Sequence, residues 1–293
     1  MTEEIKKKKS ISYSQFSTYF TCPAKWKFDY IDKLKTFEDT LNLSFGTAIH
    51  GAIQLYLRTL YKKSEKQAES IDLMKYFGWA FKKELTKKKI VHTPEEFNEF
   101  IEDGRNILSE FKCPSNRLFH FPQHKWELLG IEDKVNIDIR NNIRINGFLD
   151  IVLREKLTGN IRIVDFKTST RGWSYEKQDF AKNAQLQLYK ALYSKQHNIP
   201  LSKINVEFII LRRKLFEDCK YEQSRIQIHK PAAYKADILL VIEEFNKFID
   251  VAFTADGQHN INAKFLKIPG PGKKNCKYCP YLKNKTCDGK ADK

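Results

Sequence analysis

No stretch of the 293-residue chain approaches the roughly 18 consecutive apolar residues that a membrane-spanning helix needs. The opening MTEEIKKKKS is charged and has no apolar core, so nothing there reads as an export signal, and a cytoplasmic location is expected. No G-x-x-x-x-G-K-[ST] stretch occurs, so any motor activity has to come from a partner. No internal repeat is visible. Collagen, coiled-coil and disulfide-scaffold classes do not fit the composition. Acidic residues are the minority, 36 against 52 Lys and Arg, for a net charge of +16.

What is present is enough to fold. Hydrophobic residues make up 41% and aromatics 13% of the chain, which supports a real core and excludes a disordered polymer. The length suits one large domain or two small ones. Scattered surface lysines for solubility are the plain account of the basic excess. A polyanionic partner is the sharper one, and nucleic acid is the commonest. Six cysteines without an export signal are expected to be reduced thiols, and clustered thiols in that setting usually mean metal or catalysis.

The hydrophobic period divides the chain. Residues 1–10 read as a Lys-rich mobile arm. Ser12 or Ser14 can cap an aromatic helix running to about Leu34, and Ser44 starts a second, to about Tyr61, with an apolar stripe of Phe45, Ile49, Ile53, Tyr56, Leu57 and Leu60. Residues 62–70 look like a loop. Helices over about 71–89 and 95–111 follow, ended by Cys113-Pro114-Ser115-Asn116. Residues 125–139, 142–154 and 160–167 then alternate as strands. A helix over about 176–197, strands at 204–213 and 222–230, a helix over about 232–253 and a loop-like end from about 262 complete the pattern. The order predicts a mixed α/β core with a helical annex before it.

Two of those strands carry acids. Asp150 ends Gly147-Phe148-Leu149-Asp150, and Asp165 opens Asp165-Phe166-Lys167-Thr168. Residues two apart on a strand share a face, so Asp165 and Lys167 emerge together and Phe166 enters the opposite layer. Two carboxylates on adjacent strands repel unless a cation sits between them, and a hard divalent ion suits oxygen ligands. Lys167 beside them could hold a water or a phosphate oxygen. An Asp-Lys pair on a solvated strand is the plain alternative. His50 borders the apolar stripe of the second helix, where a lone histidine is usually a satisfied core residue. Gly46, one turn earlier, permits a close approach. Gln185 and Tyr189 lie four apart and share a helix face. Glu127 and Glu132 precede the acidic strands and are expected to play structural or supporting roles.

The cysteines cluster at the end. Cys276-Lys277-Tyr278-Cys279 is followed by Cys287, and a tetrathiolate site needs one more. Cys22, followed by Pro23 as Cys279 is by Pro280, is the best candidate, ahead of Cys113 and Cys219. Zinc and an iron–sulfur cluster both fit four thiolates, and idle surface thiols are the plain alternative.

Together these residues resemble the PD-(D/E)XK nuclease superfamily, in the branch of RecB-type nucleases with an iron–sulfur staple that includes the AddB nuclease domain and the CRISPR-adaptation exonucleases. Ser14-Gln15-Phe16 through Cys22-Pro23-Ala24-Lys25-Trp26-Lys27-Phe28 resembles the opening helix. Phe45-Gly46-Thr47-Ala48-Ile49-His50 resembles the histidine motif, and Gly147 to Asp150 the first acidic motif. Asp165-Phe166-Lys167-Thr168 resembles the acid-x-lysine motif, Gln185-Leu186-Gln187-Leu188-Tyr189 the Q-x-x-x-Y motif, and Cys276, Cys279 and Cys287 the terminal cysteine triad. The Cys279 to Cys287 step is somewhat longer than the family's.

The resemblance implies a restriction-endonuclease-like mixed sheet flanked by helices, as one nuclease domain over 1–293. Within it lie a helical annex with the histidine motif (11–120), the nuclease core (121–260) and a cysteine-rich cluster-binding segment (261–293). It implies Mg²⁺ or Mn²⁺ held by His50, Asp150, Asp165 and the Phe166 carbonyl. Lys167 would orient water, Gln185 would position Lys167 or the water, and Tyr189 would touch the strand. It implies a 4Fe-4S cluster, with zinc as the alternative, on Cys22, Cys276, Cys279 and Cys287. The implied activity is a single-strand-preferring DNA exonuclease leaving 5′-phosphates, in recombination, repair or phage DNA processing. A helicase or recombination protein is the implied partner. Two competing readings are an idle DNA-binding subunit of a helicase–nuclease assembly and a zinc-ribbon module.

Overall fold

The computed structural model describes residues 8–35, 39–174 and 180–292. The basic start is not wholly an arm. Lys9–Ile11 form a strand, β1, and Ile11 is fully buried; burial of that one side chain and the strand's backbone pairing order a segment whose charge alone suggested mobility. Residues 1–7 lie outside the described residues.

The aromatic first helix is two helices, α1 (Tyr13–Thr21) and α2 (Pro23–Tyr30), hinged at Cys22. Pro23 disfavours a helical conformation for the residue before it, and Cys22 is extended, at φ −161 and ψ 105. The long α3 (Leu41–Lys62) begins earlier than the Ser44 start, because the Thr40 side chain accepts from Leu43 N–H at 3.3 Å and so caps a free donor. The expected loop at 62–70 contains α4 (Glu65–Glu69), capped by Ser64. Next come α5 (Leu73–Lys88) and α6 (Pro94–Lys112), the latter opened by a Thr93–Glu96 capping box. Pro114, read as a stop, opens the short α7 (Pro114–His120), since proline's missing N–H is harmless at the first helical position.

The strands are β2 (Trp126–Asp138), β3 (Ile143–Glu155) and β4 (Ile161–Ser169), followed by helix α8 (Phe180–His197), then β5 (Ile204–Arg212), β6 (Ile226–His229) and helix α9 (Lys235–Ala252). Part of the helix start expected near 176 falls outside the described residues. The tail is mostly loop, but the short α10 (Pro280–Lys283) interrupts it.

The six strands form one mixed sheet, ordered β1-β3-β4-β5-β6, with β2 paired to β3. β4 and β5 run parallel in its middle, joined by α8. Most of their side chains are buried on both faces, and β5 reads as a near-continuous apolar run. Alternate residues divide between two cores. Ile163, Phe208 and Ile210 join the side packed by α1, α8 and α9, whereas Val164, Phe166, Ile209 and Leu211 join the side packed by α3, α5 and α6. This architecture is the restriction-endonuclease-like sandwich that the resemblance implies.

One detail of register positions everything that follows. β2 occupies one edge of β3 along most of its length. On the other edge, β1 pairs with residues 143–145 and β4 with residues 151–154. Residues 146–150 of β3 are therefore left without a ladder on that side. β4 keeps its partner β5 out to Ser169, but parts from β3 beyond the Ile151–Val164 pair. The sheet opens there into a cleft.

Candidate active site

Asp150 sits at the fork where β3 and β4 separate. Its Oδ2 accepts the Phe166 N–H at 2.7 Å, so the carboxylate takes over a backbone donor that the lost ladder would otherwise leave unpaired. Asp165 and Lys167 share a face of β4, as their spacing predicts, and Lys167 Nζ lies 2.6 Å from Asp165 Oδ2. The other Asp165 oxygen accepts from Gln185 Nε2 at 3.2 Å. Phe166 points the opposite way and is fully buried, with its ring 6.0 Å from that of His50. His50 comes in from α3, with Nδ1 3.7 Å from Asp150 Oδ2.

Two glycines allow this convergence. A Cβ on Gly46 would stand 3.2 Å from Thr168 Oγ1, so α3 lies close against the end of β4 one turn before His50. The close approach that Gly46 permits is therefore that of Thr168. A Cβ on Gly147 would stand 2.8 Å from Tyr189 Cε1, so only glycine lets the ring lie on β3. Tyr189, expected to touch a strand, has no open face for one. It is 6% exposed, walled by Gly147 and by the Tyr13 ring at 6.2 Å, with its hydroxyl beside Gln185. The helix period that places Gln185 and Tyr189 on one face also turns that face inward.

The electrostatics are those of a site short of positive charge. Burial raises Asp150 from 3.8 to about 6, against the opposing effects of the Phe166 N–H and Lys167. Burial also raises Asp165, and the Asp150 charge adds to that push while Lys167 counters it. His50 moves down to about 4, chiefly through burial, which leaves a neutral imidazole with a lone pair at neutral pH. Buried carboxylates that resist ionisation are relieved by a cation placed among them. Two carboxylates, a neutral imidazole and a nearby carbonyl form a donor set suited to a divalent ion. Among the described residues, no three His, Cys, Asp or Glu groups stand as a finished metal-ligand set.

Of the other two acids, Glu127 pairs with Arg154 at 2.7 Å on the sheet's outer edge, away from the cleft. Glu132 lies across β3 from Asp150, between the Ile131–Ile151 and Asp133–Leu149 pairs. It has a left-handed φ of 51 and accepts from Gln54 at 3.3 Å. Its charge acts on both His50 and Asp150, closer to the cleft than a purely structural role implies. Its faint signal in the sequence is Gly130, where the β2–β3 register slips and the strand can re-aim a side chain.

The cysteines assemble elsewhere. Cys22, Cys276, Cys279 and Cys287 line one small cavity, together with Phe28, Ile268 and Leu282. The Ile268 N–H points at Cys22 Sγ and the Gly289 N–H at Cys287 Sγ, each at 3.5 Å. Burial and the other three cysteines push Cys276 up. Cys113 and Cys219 are exposed and do not line this cavity. The corner is also clamped by polar contacts. Asn275 donates to the Thr21 carbonyl at 3.1 Å, and the Tyr281 hydroxyl donates to Asp29 at 2.5 Å.

No helix among the described residues is long and apolar enough to cross a membrane. A crystal structure described as that of SSO0001 aligns with 98% of this chain and 87% of its own, at 13% identity and a TM-score of 0.39. No curated protein matches the chain. The family model of the PD-(D/E)XK nuclease superfamily matches residues 10–284. That match runs from β1 through the forked strands to α10, and with it the chain belongs to the PD-(D/E)XK nuclease superfamily.

Proposed function

We propose that this protein is a Mg²⁺- or Mn²⁺-dependent exonuclease that hydrolyses DNA, single strands by preference, in recombination, repair or phage DNA processing. Its carrying observation is the fork between β3 and β4, where Asp150 and Asp165 meet with the Lys167 ammonium 2.6 Å from Asp165.

Asp150, Asp165, His50 and the Phe166 carbonyl would hold the cation. When bound, it would make water a better nucleophile and offset the charge that gathers on the phosphate. The remaining work falls to the chain. The Phe166 N–H fixes the Asp150 carboxylate, and Gln185 fixes Asp165 from the other side, so neither acid needs to reorganise when substrate arrives. Lys167 has its stem against Phe208, with Nζ 5.7 Å from that ring, and its ammonium is partly open to the cleft. There it can orient the attacking water and stabilise the extra negative charge of the transition state. Tyr189 packs beside Gln185 and holds that helix face in place. The net charge of +16 favours a polyanion and predicts strongly salt-dependent binding.

Cys22, Cys276, Cys279 and Cys287 are assigned in the same reading to a 4Fe-4S cluster, with zinc as the alternative. Their common cavity and the two N–H groups aimed at sulfur support it. Protein purified without oxygen should be brown if iron–sulfur and colourless if zinc.

The test is digestion of end-labelled single-stranded DNA with Mn²⁺, Mg²⁺ or chelator. Wild-type protein should cut with either ion and stop in chelator, and should leave a circular single strand intact. Asp165→Ala and Lys167→Ala should each lower the rate about a thousandfold or more while DNA binding holds and the melting temperature does not fall. Unchanged cleavage in either variant removes the proposed centre.

A further inference from the structure

α5 carries more aromatic surface than its packing requires. Its buried stripe is Leu73, Phe77, Phe81 and Leu85, at four-residue steps, and that stripe suffices to seat the helix on α3 and α6. Tyr76, Trp79 and Lys83 form a second stripe at three- and four-residue steps. Of the four tryptophans, Trp79 is the exposed one, at 56%. A large apolar ring left in water on a helix whose core contact is already made is a candidate for binding.

This second stripe borders the proposed catalytic cleft. Trp79, Tyr76, Ala80 and Lys83 form one wall of a cavity of about 420 Å³, and Thr47, His50, Gly51, Gln54 and Glu132 form the other. The volume falls in the range of small-ligand sites, about 300–1,000 Å³. Tyr76 lies flat enough on α3 that a Cβ on Gly51 would meet its hydroxyl at 3.7 Å. The Tyr76 and Trp79 rings are 5.8 Å apart and tilted by 48°. Lys83 Nζ stands 4.8 Å from the Trp79 ring centre and makes no ion pair among the described residues. The cavity thus has an aromatic pair in one wall, with a cation over the Trp79 ring, and His50 in the other.

The charges in the cavity decide which part of a nucleotide enters it. Glu132 lines the α3-side wall and Glu84 the α5 wall, where Glu84 shares Lys88, at 3.3 Å, with Asp39 at 3.2 Å. A phosphate would be repelled by Glu132. A neutral heteroaromatic base, with donors that Glu132 and Gln54 can meet, would not. A base stacking on Trp79 would displace Lys83 from that ring and free its ammonium for the phosphate that follows the base.

We propose that this cavity is a subsite for one unpaired nucleobase of the strand being cut, stacked on Trp79 and flanked by Tyr76. The inference rests on the nuclease reading and deepens it, because a base in a duplex has no free face to offer and a single strand has one for every residue. The preference for single strands would then arise on α5 and not at the carboxylates.

The test is equilibrium binding in chelator, where no cutting occurs, using an oligothymidylate and a duplex of equal length. Trp79→Ala should weaken oligothymidylate binding about 5- to 100-fold and leave duplex binding within twofold. Trp79→Phe should keep most of the affinity but lose the tryptophan fluorescence quenching seen on wild-type binding. Equal affinity of wild type and Trp79→Ala for the single strand overturns the subsite, as does an equal loss for both ligands or a wild type that binds neither. A protein that binds single strands through Trp79 but never cuts them with Mn²⁺ leaves the subsite standing and ends the nuclease reading alone.

Discussion

The carboxylate fork and the cysteine corner both gather groups that repel one another, and they are held in opposite ways. Asp150 and Asp165 stand on strands whose ladders continue on both sides of the fork, so the sheet imposes their closeness whether or not a cation is present. Cys22 lies near the start of the chain and Cys276, Cys279 and Cys287 near its end. They meet in loops, joined by a few contacts such as Ala24 N–H to the Leu266 carbonyl and Asn275 to Thr21. Rigid elements can hold charges in an unfavourable arrangement ready for a ligand. Loops do so less firmly, and a metal group bound there as proposed would supply part of the corner's order.

The sharpest test of that contrast is Cys22→Ala. If a cluster closes the loop of about 250 residues between the chain ends, losing it should lower stability by up to about 5 kcal/mol, read as a fall in melting temperature with loss of visible absorbance. Tyr281→Phe, which removes the Asp29 contact, should cost about 1.5–3 kcal/mol, because the buried Asp29 carboxylate loses a donor. If the tyrosine variant proves the more damaging of the two, the polar clamp holds the corner and the contrast is broken.

The fork should behave in the reverse sense and gain stability when its charge is removed. Asp150 rises from 3.8 to about 6 in the folded protein, so between those values the native state binds the extra proton. Stability of the metal-free protein should therefore fall as pH climbs through that window and level off above it. Asp150→Asn removes the effect. In chelator the variant should be more stable than wild type by about 3 kcal/mol at about pH 8 and equal to it below about pH 4. Thermal melts across pH measure this, and a wild type that is the more stable at high pH would show that the fork is not strained by its charges.

The smallest effect concerns shape alone. Gly147→Ala drives a methyl group to 2.8 Å from Tyr189 Cε1, and should cost about 1–2 kcal/mol by overpacking. The denaturant midpoint reads it. A neutral result would mean that the Tyr189 side of the fork yields, contrary to a site preset by the sheet.

Much of this was legible in the linear order of residues. Alternation marked β3 and β4, and the two-residue step put Asp165 and Lys167 on one face. The four-residue step put Gln185 and Tyr189 together. Local chemistry hid other parts. Pro23 breaks one aromatic helix into α1 and α2 and leaves Cys22 extended at the hinge, a boundary that hydrophobic spacing does not show. Pro114 read as a stop because the same residue ends and starts helices. Lys9–Ile11 became a strand because Ile11 found a buried place, which no count of lysines could indicate. Glu132, expected in a structural or supporting role, comes near the cleft at a residue whose own backbone is left-handed, at φ 51, which no local period shows.

Composition, period and motif spacing determined the class of fold, the pairing of acid with lysine on one strand face, and the grouping of the last three cysteines, because each depends only on backbone repeat geometry and on residues near in sequence. The fork in the sheet, the inward turn of Tyr189, the meeting of Cys22 with the distant thiols and the exposed platform on α5 were decided by the tertiary structure. They depend on which edge of β3 each neighbour occupies and on how helices far apart in sequence pack across it, and no local period encodes either.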